Sequence, residues 1–288
     1  MYYNIAGHII EITGEKPGIN PGFSSFVYKS AFPDGLLISL HLNKKVTYKD
    51  SELIYQFSIE KGTCEFLKYE ESYLVRWTEP TGISWLMEVQ CKDEGFIAVT
   101  DMNEDTDSHI LSFSIWIAFG IASLNQQTVA IHASTVIHNG SSILFLGESG
   151  TGKSTQSGLW LQHITETELL NDDSPFIRLY EDKIPAVYGS PWSGKTPCYK
   201  DKQAPVSAFI RLRQAPYNSI RRLRTLEAIG ALQPSLPPIF ASEPILAELM
   251  LECLSHILRQ IPVYLLECLP NEDAVDLVYS TLKKDGRL

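Results

Sequence analysis

The first hundred residues place apolar and polar side chains in short alternating runs. FSSFVYKSAF, GLLISLHL, ELIYQFSIE, CEFLKYE, SYLVRWTE, ISWLMEVQC and GFIAVTD are dense in aromatic and β-branched residues, and Gly, Pro, Asn or Asp punctuates them. A period of two predicts strands, because neighbouring side chains of a strand face opposite sides of a sheet. Runs spaced about ten residues apart predict an antiparallel sheet, as a sandwich or an open barrel.

The texture changes near Asp107. Ile110–Leu124 (ILSFSIWIAFGIASL) is apolar all round and predicts a buried helix. It is shorter than the roughly 20 apolar residues that span a bilayer. Strand-like and helix-like segments then intermix. Strands are predicted over Thr128–Ile137, Ser142–Leu146, Phe176–Tyr180, Val206–Leu212 and Pro262–Cys268, and helices over Gly152–His163, Thr225–Leu232, Pro244–Arg259 and Glu272–Lys283. The expected fold class is therefore mixed, α+β or α/β. A β-rich domain over 1–107 is followed by a domain of mixed sheet and helices over 108–288.

Composition narrows the function. The chain has 288 residues, with Lys plus Arg at 24 and Asp plus Glu at 34, so 24 − 34 = −10. That balance argues against nucleic acid, whose phosphates need a positive surface, and against an anionic membrane. Five widely spaced cysteines without a CxxC pair give neither a disulfide framework nor a zinc site. Met1–Ile5 lacks a basic segment leading into an apolar run, so no signal peptide is expected and the expected compartment is the cytoplasm.

The strongest local signal is Ser142-Ile-Leu-Phe-Leu-Gly147-Glu-Ser-Gly-Thr-Gly152-Lys153-Ser154-Thr155, which fits G-x-x-x-x-G-K-[ST] between a predicted strand and a predicted helix. Glycines let successive N–H groups curl around a phosphate, and the helix adds its own unpaired N–H groups and positive dipole end. Gly147, Glu148, Ser149, Gly150, Thr151, Gly152, Lys153, Ser154 and Thr155 are thus the candidate ATP site. Lys153 would reach the β- and γ-phosphates, and Ser154 would bind Mg²⁺. The similar stretch Gly189–Thr196 is no second such loop. Pro191 removes an N–H, and Pro197 biases Thr196 away from helical angles. Its Trp192 and Lys195 suit either an exposed binding loop or an ordinary connection with a packed Trp.

Three other groups bear on chemistry. Asp172 and Asp173 follow a short apolar pair, and the spacing favours a polar turn capped by Asp over an Mg²⁺-binding strand end. His132 stands in an apolar run, where a histidine is usually a satisfied core residue. Arg211, Arg213, Arg221, Arg222 and Arg224 form a basic concentration, read either as a solvated face balancing carboxylates or as a seat for an acidic or phosphorylated substrate.

Together these residues resemble the catalytic domain of the HPr kinase/phosphorylase family. Three features carry the resemblance: His132, fifteen residues ahead of Gly147; the loop GESGTGKS; and the pair Asp172–Asp173 after the helix. With the tail Ile261–Val278, also similar to small HPr-kinase-like proteins, it covers roughly residues 126–288. The resemblance implies a P-loop fold related to phosphoenolpyruvate carboxykinase, with Asp172 as base, His132 supporting it, and Asp173 assisting with Mg²⁺ or substrate. The chain departs from the family at Thr155, where Glu is usual, and lacks its downstream Gly-Arg-Asn signature.

The expected function is an ATP- and Mg²⁺-dependent kinase that phosphorylates a serine of a protein or peptide. A nucleotide-binding module without transfer, a small-molecule kinase and a phosphoenolpyruvate-carboxykinase-like enzyme stand as alternatives. The β-rich half would present the acceptor or build a homo-oligomer interface, and nothing in the sequence chooses between them.

Overall fold

The computed structural model describes the chain except for residues 15–18, 31–34, 48–49, 93–94 and 195. In chain order, β1 (Tyr2–Ile5), β2 (His8–Thr13), β3 (Ile38–His41), β4 (Glu52–Ile59), β5 (Gly62–Tyr69), β6 (Ser72–Thr78), β7 (Ser84–Lys92) and β8 (Gly95–Thr100) precede α1 (Ser108–Leu124). Then come β9 (Thr128–Ala130), β10 (Ala133–His138), β11 (Ser141–Leu146), α2 (Lys153–His163), β12 (Thr167–Asn171), β13 (Phe176–Tyr180), β14 (Lys183–Tyr188), β15 (Gln203–Gln214) and β16 (Ser219–Arg222). The chain closes with α3 (Thr225–Leu232), α4 (Pro238–Ala241), α5 (Pro244–Gln260), β17 (Val263–Cys268) and α6 (Glu272–Lys284). The result is a mixed α/β protein. It divides into two compact units, 1–126 with 239–247, and 127–238 with 248–288. The division thus falls beyond α1, rather than at the change of texture near 107.

In the first unit the eight strands form one sheet in the order β1-β2-β3-β8-β7-β6-β5-β4. β4 to β8 run as an antiparallel meander, but β3 lies parallel to both β2 and β8. The purely antiparallel sheet read from the alternation is corrected at β3. β1 and β2 form a hairpin that the alternation did not single out, turned at Ala6-Gly7 with φ of 52° and 74°. The run FSSFVYKSAF is not a strand over its described residues. Asn20 accepts from Gly22 N–H, Pro21 opens the turn, and a 3₁₀ helix runs over Pro21–Phe26. α1 begins at Asp107, whose carboxylate accepts the His109 N–H, and lies against β7 and β8. Trp116 stacks on Phe240 at 5.9 Å between ring centroids. Among the described residues, no helix is long and apolar enough to cross a membrane.

The second unit is organised by the long strand β15. Gln203–Pro205 pair with β14, while Val206–Arg211 run parallel to β11 and Phe209–Gln214 run parallel to β17. β11 continues antiparallel into β10, and β10 into β12. The apolar runs of β11, β15 and β17 fit strands buried in a parallel arrangement. Phe145, Trp160, Ile210, Tyr264, Leu266 and Val278 form the core, and the inner faces of α2 and α6 contribute to it. This packing leaves the carboxyl ends of the three parallel strands side by side.

Candidate functional site

β11 ends at Leu146 and α2 starts at Lys153, so residues 147–152 must reverse the chain within six positions. Gly152 caps α2 with φ of 104°, a left-handed conformation that any residue with a Cβ resists. A Cβ added at Gly150 or Gly152 would meet no heavy atom within 4 Å, so these two glycines face open space, whereas one at Gly147 would run into the Thr151 side chain. That hollow, next to a helix N-terminus, suits an anion. Thr151 tightens the turn: its hydroxyl donates to Glu148 O at 2.8 Å.

Lys153 folds back over this hollow. Its Nζ donates to Gly147 O at 2.8 Å and to Glu148 O at 3.1 Å. Burial lowers its pKa below the ordinary lysine value; Arg211 pushes the same way, against the opposing pull of Asp173 and Asp172. An anion bound beside the ammonium would oppose that lowering. Arg211 is largely buried, and its guanidinium lies 3.7 Å from the Glu148 carboxylate. Its part in this site was not apparent from the sequence, which grouped it with the surface arginines. Of those, Arg213 pairs with Glu267 and Arg221 with Glu227, as a balanced charged face requires.

The two aspartates sit where β12 ends. Asn171, wholly buried, holds that turn: its Oδ1 accepts the N–H groups of Asp173 (3.0 Å) and Ser174 (2.9 Å). Its Nδ2 donates to Trp192 O at 2.9 Å. Strand end and capped turn thus coexist, with Asn171 as the capping residue. Asp172 is buried, and its Oδ1 accepts the Ser134 hydroxyl at 2.6 Å. Ser134 and Ser157 lie 2.6 Å apart; with Ser134 donating to the carboxylate, Ser157 of α2 donates to Ser134. This chain of hydrogen bonds ties the carboxylate to the helix that carries Lys153.

His132 falls in a break between β9 and β10, so the single strand predicted over Thr128–Ile137 is two. Its backbone N–H donates to Ser235 O at 2.7 Å. The adjacent Ala133 N–H donates to Asp173 O, which places His132 Nδ1 3.4 Å from Asp173 Oδ1. Both side chains are nearly half exposed. The histidine therefore stands beside Asp173, whereas the resemblance pairs it with Asp172.

The Gly189–Thr196 stretch borders the same carboxylates. A Cβ on Gly194 would lie 2.8 Å from Asp172 O and 3.4 Å from Asp173 Cβ. Trp192 is buried against Phe176, with ring centroids 5.8 Å apart, so of the two readings of this loop the packed Trp holds. No helix opens over 196–202, directly after this stretch's Gly194, and Lys195 lies outside the described residues.

Ser154, on the first turn of α2, and Asp173 supply a hydroxyl and a carboxylate, the hard oxygen donors that suit Mg²⁺. Strand, glycine loop and helix, with two carboxylates on a neighbouring strand end, share one corner of a mixed α/β unit. No protein-family model matches the chain, and no curated protein matches it. A solved structure of the HPr(Ser) kinase/phosphatase from Coxiella burnetii is similar to 55% of this chain and 90% of its own, at 16% identity and a TM-score of 0.32. That is a distant likeness of fold.

Proposed function

We propose that the protein is an ATP- and Mg²⁺-dependent kinase that transfers the γ-phosphoryl group to a serine hydroxyl of a protein or peptide. One observation carries the reading. Lys153, folded over an open glycine loop, lies in the field of Asp173 and Asp172, so a phosphate-type site and candidate acid–base groups share one corner. The acceptor oxygen would bond to the γ-phosphorus as the bond to the bridging oxygen breaks and ADP leaves. Asp172 would take the hydroxyl proton, held in place by Ser134 through its other oxygen. Lys153 and the loop N–H groups would stabilise charge on the transferring group. Ser154 and Asp173 would hold Mg²⁺, whose role when bound is to neutralise the phosphates, and His132 would orient Asp173.

The test is γ-labelled ATP with Mg²⁺, the protein and a lysate of its own source, run beside Lys153→Ala, with macromolecular and small-molecule fractions separated. Label on one protein or peptide band that is lost in the variant is the expected result. Label in small molecules alone would make the protein a metabolite kinase, and binding without transfer would leave a nucleotide-binding module.

A further inference from the structure

The carboxyl ends of parallel strands are where α/β sheets bind ligands. Here three such ends meet. The loops that leave β15 and β17 join the glycine loop and the first turn of α2 around a cavity of about 600 Å³. That volume is within the range of small-molecule sites. Ala215 and Pro216 line it after β15, and Leu269 and Pro270 line it after β17. Gln214 ties one wall to the glycine loop by donating to Gly150 O at 3.1 Å.

One lining side chain is left unsatisfied. Gln156 is 2% exposed, and its Oε1 has no hydrogen-bond partner, while its Nε2 reaches the weak acceptor Cys268 Sγ at 3.5 Å. A buried carbonyl oxygen without a donor costs about 1–3 kcal/mol, so such a group beside a cavity points to a ligand that supplies one. A carboxamide sets an acceptor beside a donor, the pattern that matches the adenine edge, with its amino group next to a ring nitrogen.

We propose that this cavity seats the adenine and ribose of a nucleotide whose phosphates lie on the Gly147–Thr155 loop, with Gln156 reading the base. The proposal rests on the phosphate-loop reading above and adds base selectivity to it. The apolar side chains cover the ring faces, and Gln156 Oε1 accepts from the exocyclic amine.

Equilibrium dialysis of the full chain with Mg²⁺ tests it, with the β,γ-imido analogues of ATP and GTP and inorganic tripolyphosphate as probes. The adenine analogue should bind at least about tenfold more tightly than either of the others, the worth of one or two good contacts. Gln156→Leu should bring the two nucleotides to within about threefold while leaving tripolyphosphate unchanged. Ala215→Trp, at the partly exposed cavity wall, should weaken both nucleotides about tenfold or more and spare tripolyphosphate, and it serves if Gln156→Leu fails to fold. Equal affinity for the adenine analogue and tripolyphosphate, an adenine preference untouched by Gln156→Leu, or nucleotide affinities untouched by Ala215→Trp overturns the nucleoside seat alone. Failure of all three probes to bind, or binding indifferent to Lys153→Ala, overturns the phosphate-loop reading itself and this proposal with it.

Discussion

Ser134 gives its hydroxyl to Asp172 across 2.6 Å, in a place where neither residue has appreciable contact with water. A hydrogen bond to a buried charged group is worth about 1.5–3 kcal/mol, more than most. Ser134→Ala should therefore lower unfolding free energy by about that amount and release Ser157 of α2 from the same chain of hydrogen bonds. Urea unfolding measures the first effect. Phosphoryl transfer should fall about 10-fold or more, because Asp172 is no longer held. Unchanged stability and transfer would remove Ser134 from the site.

Asp172 and Asp173 are neighbours in sequence with different surroundings, so isosteric neutralisation separates them. Asp172→Asn should cut the rate of transfer about 10³-fold while nucleotide binding persists, the signature of a lost proton acceptor. Asp173→Asn should instead raise the Mg²⁺ concentration needed for half-maximal rate, and His132→Ala should do the same more weakly, since it stands 3.4 Å from that carboxylate. Steady-state rates over a Mg²⁺ series check both. An Asp172→Asn protein with full activity would move the base elsewhere.

What the sequence made legible follows from range. The glycine loop could be read because strand, loop and helix are contiguous, and structure finds β11 ending at Leu146 and α2 opening at Lys153. The partnerships that shape the site are remote in sequence: Ser134 with Asp172, and Asn171 with Trp192. No periodicity encodes them, because they arise only when β10 pairs with β12 and the β14–β15 connection folds over the turn. The hairpin β1–β2 does not stand out in the sequence because its punctuation is the single pair Ala6-Gly7, too slight to mark a boundary. FSSFVYKSAF reads as a strand because its aromatic content outweighs the Asn20-Pro21-Gly22 opening, which caps a helical turn. β3 could not be seen as parallel, since alternation records which face a side chain takes and not which way its neighbour runs.

Gly194 offers a test of the loop that borders the aspartates. A Cβ there would come within 2.8 Å of a backbone oxygen, which cannot swing aside as a side chain can. Gly194→Ala should displace either the loop or the Asp172–Asp173 turn, lowering transfer about 10- to 100-fold, as small misplacements at reacting groups do. Nucleotide affinity should stay within about twofold, because the glycine loop is not touched. An equal loss of both would mean that this loop also shapes the nucleotide site.

The first unit carries a buried ion pair whose pH dependence can be signed. Glu243 is fully buried, and its carboxylate takes a 2.6 Å bond from Lys68, a second from Tyr73 and a third from the Leu246 N–H. Burial alone would raise its pKa, but Lys68 and these hydrogen bonds overcome it and hold the group below 4.5. A folded-state pKa below the unfolded one stabilises the protein fully above the unfolded value, and the stabilisation is lost as pH falls through the folded value. Lys68→Met removes the cation and leaves the carboxylate buried without its charge partner, which should cost about 3 kcal/mol at pH 7. As pH drops below 4.5, Glu243 protonates more readily in the variant than in the wild type, so the gap between the two should close. Urea unfolding followed by tryptophan fluorescence at pH 7, 5 and 3.5 measures that gap. A difference that stays constant across the series would show that the Lys68 charge is not what stabilises the buried carboxylate.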